Sequence, residues 1–229
     1  MHFHLLQHSP HLGPARIGDW LDSMGHSHTV FHLHAGELAP RPGECDALIV
    51  LDAPETPVPP NWSRAEQKLI ERMLDGERPL LGIGHGAYRI AEALGARVSR
   101  GTYAEAGWQR ITLSDDSPFD LPESFDAFMW HRTVFGLPDD ALPLGGSDAS
   151  PLQGFSWDAG RVIGLLCHLE ATPASVDARL THLPRPEGDA DSPYRQDDSD
   201  ILSDTARFDR MAPLLDRLLS QWLHSVRRP

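Results

Sequence analysis

Apolar positions along the first half of the chain alternate between two periods. "FHLLQ" reads as a short buried strand. Gly13 and Pro14 then open a helix with Ile17, Trp20, Leu21 and Met24 on one face, and Gly25 stops it. "HTVFHL" is a second strand, and "DALIVL" is a continuous apolar run of the kind a central parallel strand requires. Ser63 and Glu66 stand at capping-box spacing ahead of the stripe Leu69, Ile70, Met73 and Leu74, and Gly76 ends that helix. "RPLLGIG" is another buried strand, followed by a helix to Gly95. Strand and helix in alternation mean crossovers onto a parallel sheet.

The second half is richer in short strands: "WQRITL", "DAFMWH", "LPLGGS", "QGFSW" and "RVIGLLCH". Helical spacing returns near 173–182. Residues 184–204 are acidic, contain proline and lack aromatic density, which predicts a mobile loop or extended excursion. Phe208, Met211, Leu214, Leu215, Leu218, Leu219 and Trp222 then predict a C-terminal helix over 205–225, with Pro213 starting or kinking it. No internal repeat or boundary divides the 229 residues, so a single α/β domain is expected.

The formal net charge is −13 and Lys68 is the only lysine, a balance that argues against nucleic acid and anionic membranes as partners. No stretch approaches the roughly 18 apolar residues of a membrane span, and a cytoplasmic protein is expected. Cys45 and Cys167 read as reduced thiols, Cys167 lying in an apolar run.

The chemistry centres on "PLLGIGHGAYRIAEALG", residues 79–95. A strand ending in a glycine-flanked tip and turning directly into a helix is the frame of a nucleophile elbow. The helix N-terminus there lowers a thiol pKa and offers N–H groups to an oxyanion. Gly82, Gly84 and Gly86 hold the three special positions, so the tip carries no reactive atom. "GLLCHLEAT" places His168 and Glu170 two residues apart on an expected strand, where a carboxylate can orient an imidazole. His85 follows the tip and points into the turn, and Cys167 faces away from His168, so neither substitutes as nucleophile. His26, His28, His32 and His34 alternate as a metal-binding strand face would. Such alternation also marks any half-exposed strand, and no cysteine or carboxylate completes the set. No metal or cofactor is assigned.

Taken in order, six segments resemble the class I glutamine amidotransferase family over residues 5–182. They are "LLQHSPHLGPARIGDWL", "DALIVLDAPETPV", "PLLGIGHGAYRIAEALGARV", "EAGWQRITL", the "FMWHRTVFG" stretch with its continuation to "GFSW", and "GLLCHLEAT". The resemblance implies a flavodoxin-like fold with a mixed, mostly parallel central sheet flanked by helices. It implies hydrolysis of glutamine to glutamate and ammonia through a cysteine thioester, and docking on a synthase partner. It also exposes departures. The family's cysteine falls on Gly84, and its substrate-holding glutamine on Tyr88. The Gly-Gly pair of the oxyanion loop falls on Asp52 and Ala53, and Leu169 replaces the proline between His168 and Glu170. Losing a nucleophile costs on the order of a million-fold in rate. The expectation is therefore a homologue without glutaminase activity. Its remnant site of Gly84, His168 and Glu170, with Asp52, Ala53, His85, Tyr88 and His131, binds a small amino-acid-like ligand or is vestigial. The alternatives are an interaction subunit beside a synthase, or a homo-oligomer, and a hydrolase that activates water with His168 and Glu170.

Overall fold

The computed structural model describes residues 1–56, 58–188 and 192–226. Among the described residues, ten strands form two sheets. The central one is built from β1 (His2–Gln7), β2 (Ser27–His32), β3 (Ala47–Val50), β4 (Leu80–Ile83), β7 (Leu142–Pro143), β9 (Gly154–Trp157) and β10 (Val162–Leu165), in the order β2-β1-β3-β4-β10-β9-β7. The strands from β2 to β10 in that order run parallel, and β9 pairs antiparallel with both its neighbours. The mixed, mostly parallel sheet is thus present.

The long strands β5 (Val98–Leu113) and β6 (Ser124–Phe135) do not join that sheet; with β8 (Gly145–Gly146) they form an antiparallel sheet of their own. The stretch read as one strand in "LPLGGS" is accordingly split between the two sheets, as β7 and β8.

Side chains alternate faces along the central strands. Leu5, Ile49, Leu81 and Ile163 face α1 (Arg16–Ser23), α6 (Ala206–Val226) and the second sheet. Leu6, Leu48, Val50, Leu80 and Val162 face α2 (Ser63–Asp75) and α3 (His85–Ala93). Both faces are covered, which is why β3, β4 and β10 read as unbroken apolar runs. α4 (Pro173–His182) is capped by the Thr172 hydroxyl, which accepts from the Ser175 N–H.

Three local expectations change. Ser63 is the first helical residue of α2, no side chain caps that end, and Glu66 is fully buried. Its carboxylate is held by His8, just after β1, and by side chains of α3, contacts that sequence spacing cannot show. β2 ends at His32 and the chain turns into a 3-10 helix at Leu33–Ala35, so His34 leaves the face that strict alternation predicts. The 184–204 segment carries more structure than its composition suggests, although 189–191 lie outside the described residues. Ala106 exchanges backbone hydrogen bonds with Tyr194 and Gln196. The Trp108 indole donates to the carbonyl of Ile201, a buried residue of the short helix α5 (Asp198–Ile201). Of the two places expected for Pro213, the start of the C-terminal helix or its interior, the interior of α6 is the one it takes.

Strand-to-helix packing at β4 depends on missing side chains. A Cβ on Gly86 would stand 2.1 Å from the Val50 carbonyl oxygen, and one on Gly82 would stand 2.4 Å from the Gly86 carbonyl carbon. Backbone cannot yield as a side chain can. Gly86→Ala should therefore destabilise by about 3 kcal/mol or more, at or beyond the usual range for overpacking. Gly43→Ala, with no atom within 4 Å of the new Cβ, is the control that should be near neutral. Urea denaturation of the two variants checks this, and equal midpoints would contradict it.

Candidate active site

Gly84 is the residue between β4 and α3, and its backbone is φ 52°, ψ −110°. Residues with a Cβ adopt that conformation only under strain. The Gly84 N–H donates to the Leu165 carbonyl at 2.8 Å, which ties the elbow to the end of β10.

Asp52 comes from the loop after β3 and lies directly over this tip. A Cβ built on Gly84 would be 2.3 Å from Asp52 Oδ1. The carboxylate thus fills the space a nucleophile's side chain would need. Its Oδ1 accepts from the His85 N–H at 2.9 Å, and its Oδ2 accepts from Arg179 Nη1 at 2.8 Å. Burial alone would raise this carboxyl's pKa. The Arg179 charge, His168 and the His85 N–H outweigh that and hold it at about 2.

His168 and Glu170 meet as expected, with His168 Nδ1 2.8 Å from Glu170 Oε1. They do so from a turn, because β10 ends at Leu165. The shared-face argument therefore gives way to a tight turn fixed by the His168 N–H donating to Phe128 O at 2.8 Å. His168 Nε2 points back to Asp52 Oδ2 at 3.7 Å. The dyad that would act on a thiol faces a carboxylate. Cys167 sits in the same turn, so strand alternation does not set its direction. It is fully buried, and burial pushes its thiol well above the ordinary range, which leaves it unreactive.

Two cavities flank this centre. One of about 20 Å³ lies beside His168 and Glu170, room for about one water. The other, about 130 Å³, is lined by Ala53, Glu55, Tyr88, Trp130, Arg185 and Glu187 among others. Asp52 and Arg179 line both, so their ion pair stands between the dyad and the outer pocket. Tyr88 keeps its hydroxyl proton: burial, then the Asp52 and Glu55 charges, push its pKa well up. Arg185 lies over the Trp130 ring at 5.6 Å.

His85 and His131 are not in the outer pocket. The His85 ring turns toward α2, with Nε2 3.0 Å from Glu66 Oε2. His131 belongs to a buried network, 3.1 Å from Gln153 Oε1 and 3.4 Å from Glu105 Oε2; burial lowers its pKa. Strand pairing places it there, since His131 stands opposite Glu105 in the β5–β6 register. Conversely, the expected set omits Arg179, the residue that completes the Asp52 site. Its signal was an arginine three positions after Val176, on the buried face of α4.

The profile of the family described as "Glutamine amidotransferase class-I" matches residues 17–183. The chain belongs to the class I glutamine amidotransferase family. Within it, the chain is 30 % identical over 204 residues to the glutamine amidotransferase-like protein YfeJ of Salmonella typhimurium, covering 83 % of this chain and 84 % of that one. It is 29 % identical over 130 residues to the GMP synthase [glutamine-hydrolyzing] of Vibrio campbellii, a match to 56 % of this chain and 24 % of the synthase. A crystal structure of a glutamine amido transferase from Methylobacillus flagellatus superposes with a TM-score of 0.89 at 23 % identity, covering 99 % of this chain and 96 % of that one. That likeness carries the fold.

The contact between Asp52 and the Gly84 tip is measurable as a coupling. Asp52→Gly should cost about 3–5 kcal/mol, because it strands the Arg179 charge. Gly84→Cys should cost about 2–3 kcal/mol, since it strains the tip and displaces Asp52. The double variant should be more stable than the sum of the two losses by at least about 1 kcal/mol, as expected for groups competing for one space. Strict additivity in denaturant unfolding would mean that Asp52 does not occupy the nucleophile's place.

Proposed function

We propose that this protein is a non-catalytic member of the class I glutamine amidotransferase family whose outer pocket binds a small amino-acid-like ligand. The observation that carries the reading is the Asp52 carboxylate. It takes the volume of the missing nucleophile and uses up the His85 N–H, the backbone donor at the helix N-terminus that a developing oxyanion would need. A fixed negative charge there opposes the anionic intermediate of glutamine hydrolysis. With a pKa of about 2 and two donors bound, the carboxylate is also a poor nucleophile and a poor base.

Water activation by His168 is disfavoured for the same reason. The space beside the dyad is about 20 Å³, and the Asp52–Arg179 pair separates it from the larger pocket. That larger pocket carries both signs of charge, Arg185 against Glu55 and Glu187, which suits a zwitterion whose ammonium and carboxylate lie a few bonds apart.

A second reading, a non-catalytic subunit on a synthase, rests on two observations. The GMP synthase relative matches over 24 % of its own length, so there the similar region is one part of a larger protein. Leu38 and Val58 are 87 % and 72 % exposed and line one groove with Pro60 and Trp62. Among the described residues no helix is long and apolar enough to cross a membrane.

Purified protein should release no ammonia from glutamine above a His168→Ala control. Gly84→Cys should label with an alkylating reagent yet not turn over. Measurable glutaminase activity should require Asp52→Gly, Ala53→Gly and Tyr88→Gln as well. Thermal shift with glutamine, glutamate and γ-glutamyl compounds should identify the ligand class. One present at about 100 times its Kd adds roughly 2.7 kcal/mol. Wild-type turnover above the control would overturn the non-catalytic reading.

A further inference from the structure

On the α2 side of the elbow, away from Asp52's carboxylate, three side chains converge from separate elements. His8 follows β1, Glu66 lies in the first turn of α2, and His85 is the first residue of α3. The donor atoms of His8, Glu66 and His85 all lie within 4.8 Å of one another. His8 Nε2 is 2.7 Å from Glu66 Oε1, and His85 Nε2 is 3.0 Å from Glu66 Oε2. The His8 and Glu66 side chains are fully buried, while His85 is 21 % exposed and opens onto a cavity of about 380 Å³ that Trp62, Ser63 and Tyr88 also line.

The hydrogen-bond directions matter more than the distances. His8 Nδ1 lies 3.3 Å from the Asp52 carbonyl oxygen, which can only accept. Nδ1 therefore carries the proton in that bond, and Nε2 is the nitrogen left to face Glu66. An outer carbonyl that fixes a histidine's tautomer and aims its other nitrogen is the usual support of a metal-ligating imidazole. His8 Nε2 and Glu66 Oε1 are in van der Waals overlap at 2.7 Å, yet they are not aligned as N–H donor and acceptor, and neither atom has a hydrogen bond elsewhere. With Nε2 deprotonated both buried atoms are electron-rich, and a cation can approach the two off the line joining them.

We infer that His8, Glu66 and His85 form a binding site for a first-row divalent cation. Two imidazoles and one carboxylate suit zinc and its neighbours, and they are the wrong set for magnesium or calcium, which take oxygen ligands. Three protein donors leave a coordination position open, and His85 places it on the cavity side, where water or a ligand heteroatom would complete the shell. Arg89 is the competing cation, with Nε 3.5 Å from Glu66 Oε2. Its Nη1 and Nη2 are held by Glu92 at 2.5 Å and by the Ser63 carbonyl, and its Nε, at 3.5 Å, makes no hydrogen bond to Glu66. The inference is independent of the amino-acid reading of the outer pocket, because none of the three donors lines that pocket.

The test is titration of untagged, chelator-stripped protein with Zn²⁺ by calorimetry, with Co²⁺ absorption as an independent readout. Wild type should take up one equivalent. His85→Ala, at a partly exposed position that should leave the fold intact by circular dichroism, should weaken binding at least tenfold, and Glu66→Gln should do the same. A His28→Ala/His32→Ala variant should bind as wild type does. Absence of stoichiometric uptake, unchanged affinity in His85→Ala, or loss of binding in the His28/His32 variant would each overturn the site.

Discussion

The Asp52 carboxylate is the interaction on which the centre of this protein depends. It reaches over the strand-to-helix tip, accepts from the first N–H of α3 and from Arg179, and occupies the volume that a side chain on Gly84 would take. Three elements are fixed at once: the loop after β3, the start of α3 and the middle of α4. A charge held this way, 11 % exposed, persists only because its partners are complete. Removing any of them leaves a charge or a donor without its complement in a crowded interior.

The elbow itself survives because its geometry is a backbone property. Gly82 and Gly86 let α3 approach β3 and β4 at backbone distance, and the Gly84 N–H ties the tip to β10. None of these contacts uses the reactive atom that the family places at the tip. A nucleophile can therefore be lost without loss of the frame, and glycine at the tip relieves strain that any other residue would carry. The dyad persists for a related reason. His168 and Glu170 are buried together beside Phe128, and the contact of His168 Nδ1 with Glu170 Oε1 stands whether or not a thiol faces them, although His168 Nε2 and Glu170 Oε2 have no hydrogen bond.

Buried charge is organised around the elbow in separate clusters: Asp52 with Arg179 above it, Glu66 with His8, His85 and Arg89 on the α2 side, and Glu105 with His131, Gln153 and Ser147 toward the second sheet. Glu66, like Asp52, is held at about 2: burial would raise it, and the His85 charge and the contacts with both imidazoles outweigh that. The cost of burying each carboxylate is offset only by residues distant in sequence. The arrangement is thus a property of the assembled fold, not of any one element.

The sequence determined the strands with two apolar faces, the amphipathic helices and the glycine pattern of the elbow, because these follow from periodicity and from steric rules that act over a few residues. It also placed Asp52, His168 and Glu170 near one another through their segments' resemblance to a known family. It could not decide where long polar side chains would turn. Glu66 has the spacing of a helix cap and becomes a buried counter-ion, since His8 and His85 reach it from other elements. His131 stands one residue from the pocket-lining Trp130 and points into a different network, because its β-strand partner is Glu105. Arg179, 127 residues from Asp52, looks like an ordinary helical arginine until the fold sets the two 2.8 Å apart. Local pattern fixes which face a residue takes; only tertiary structure supplies the partner, because a buried charge is stabilised by groups that the chain brings from far along its length.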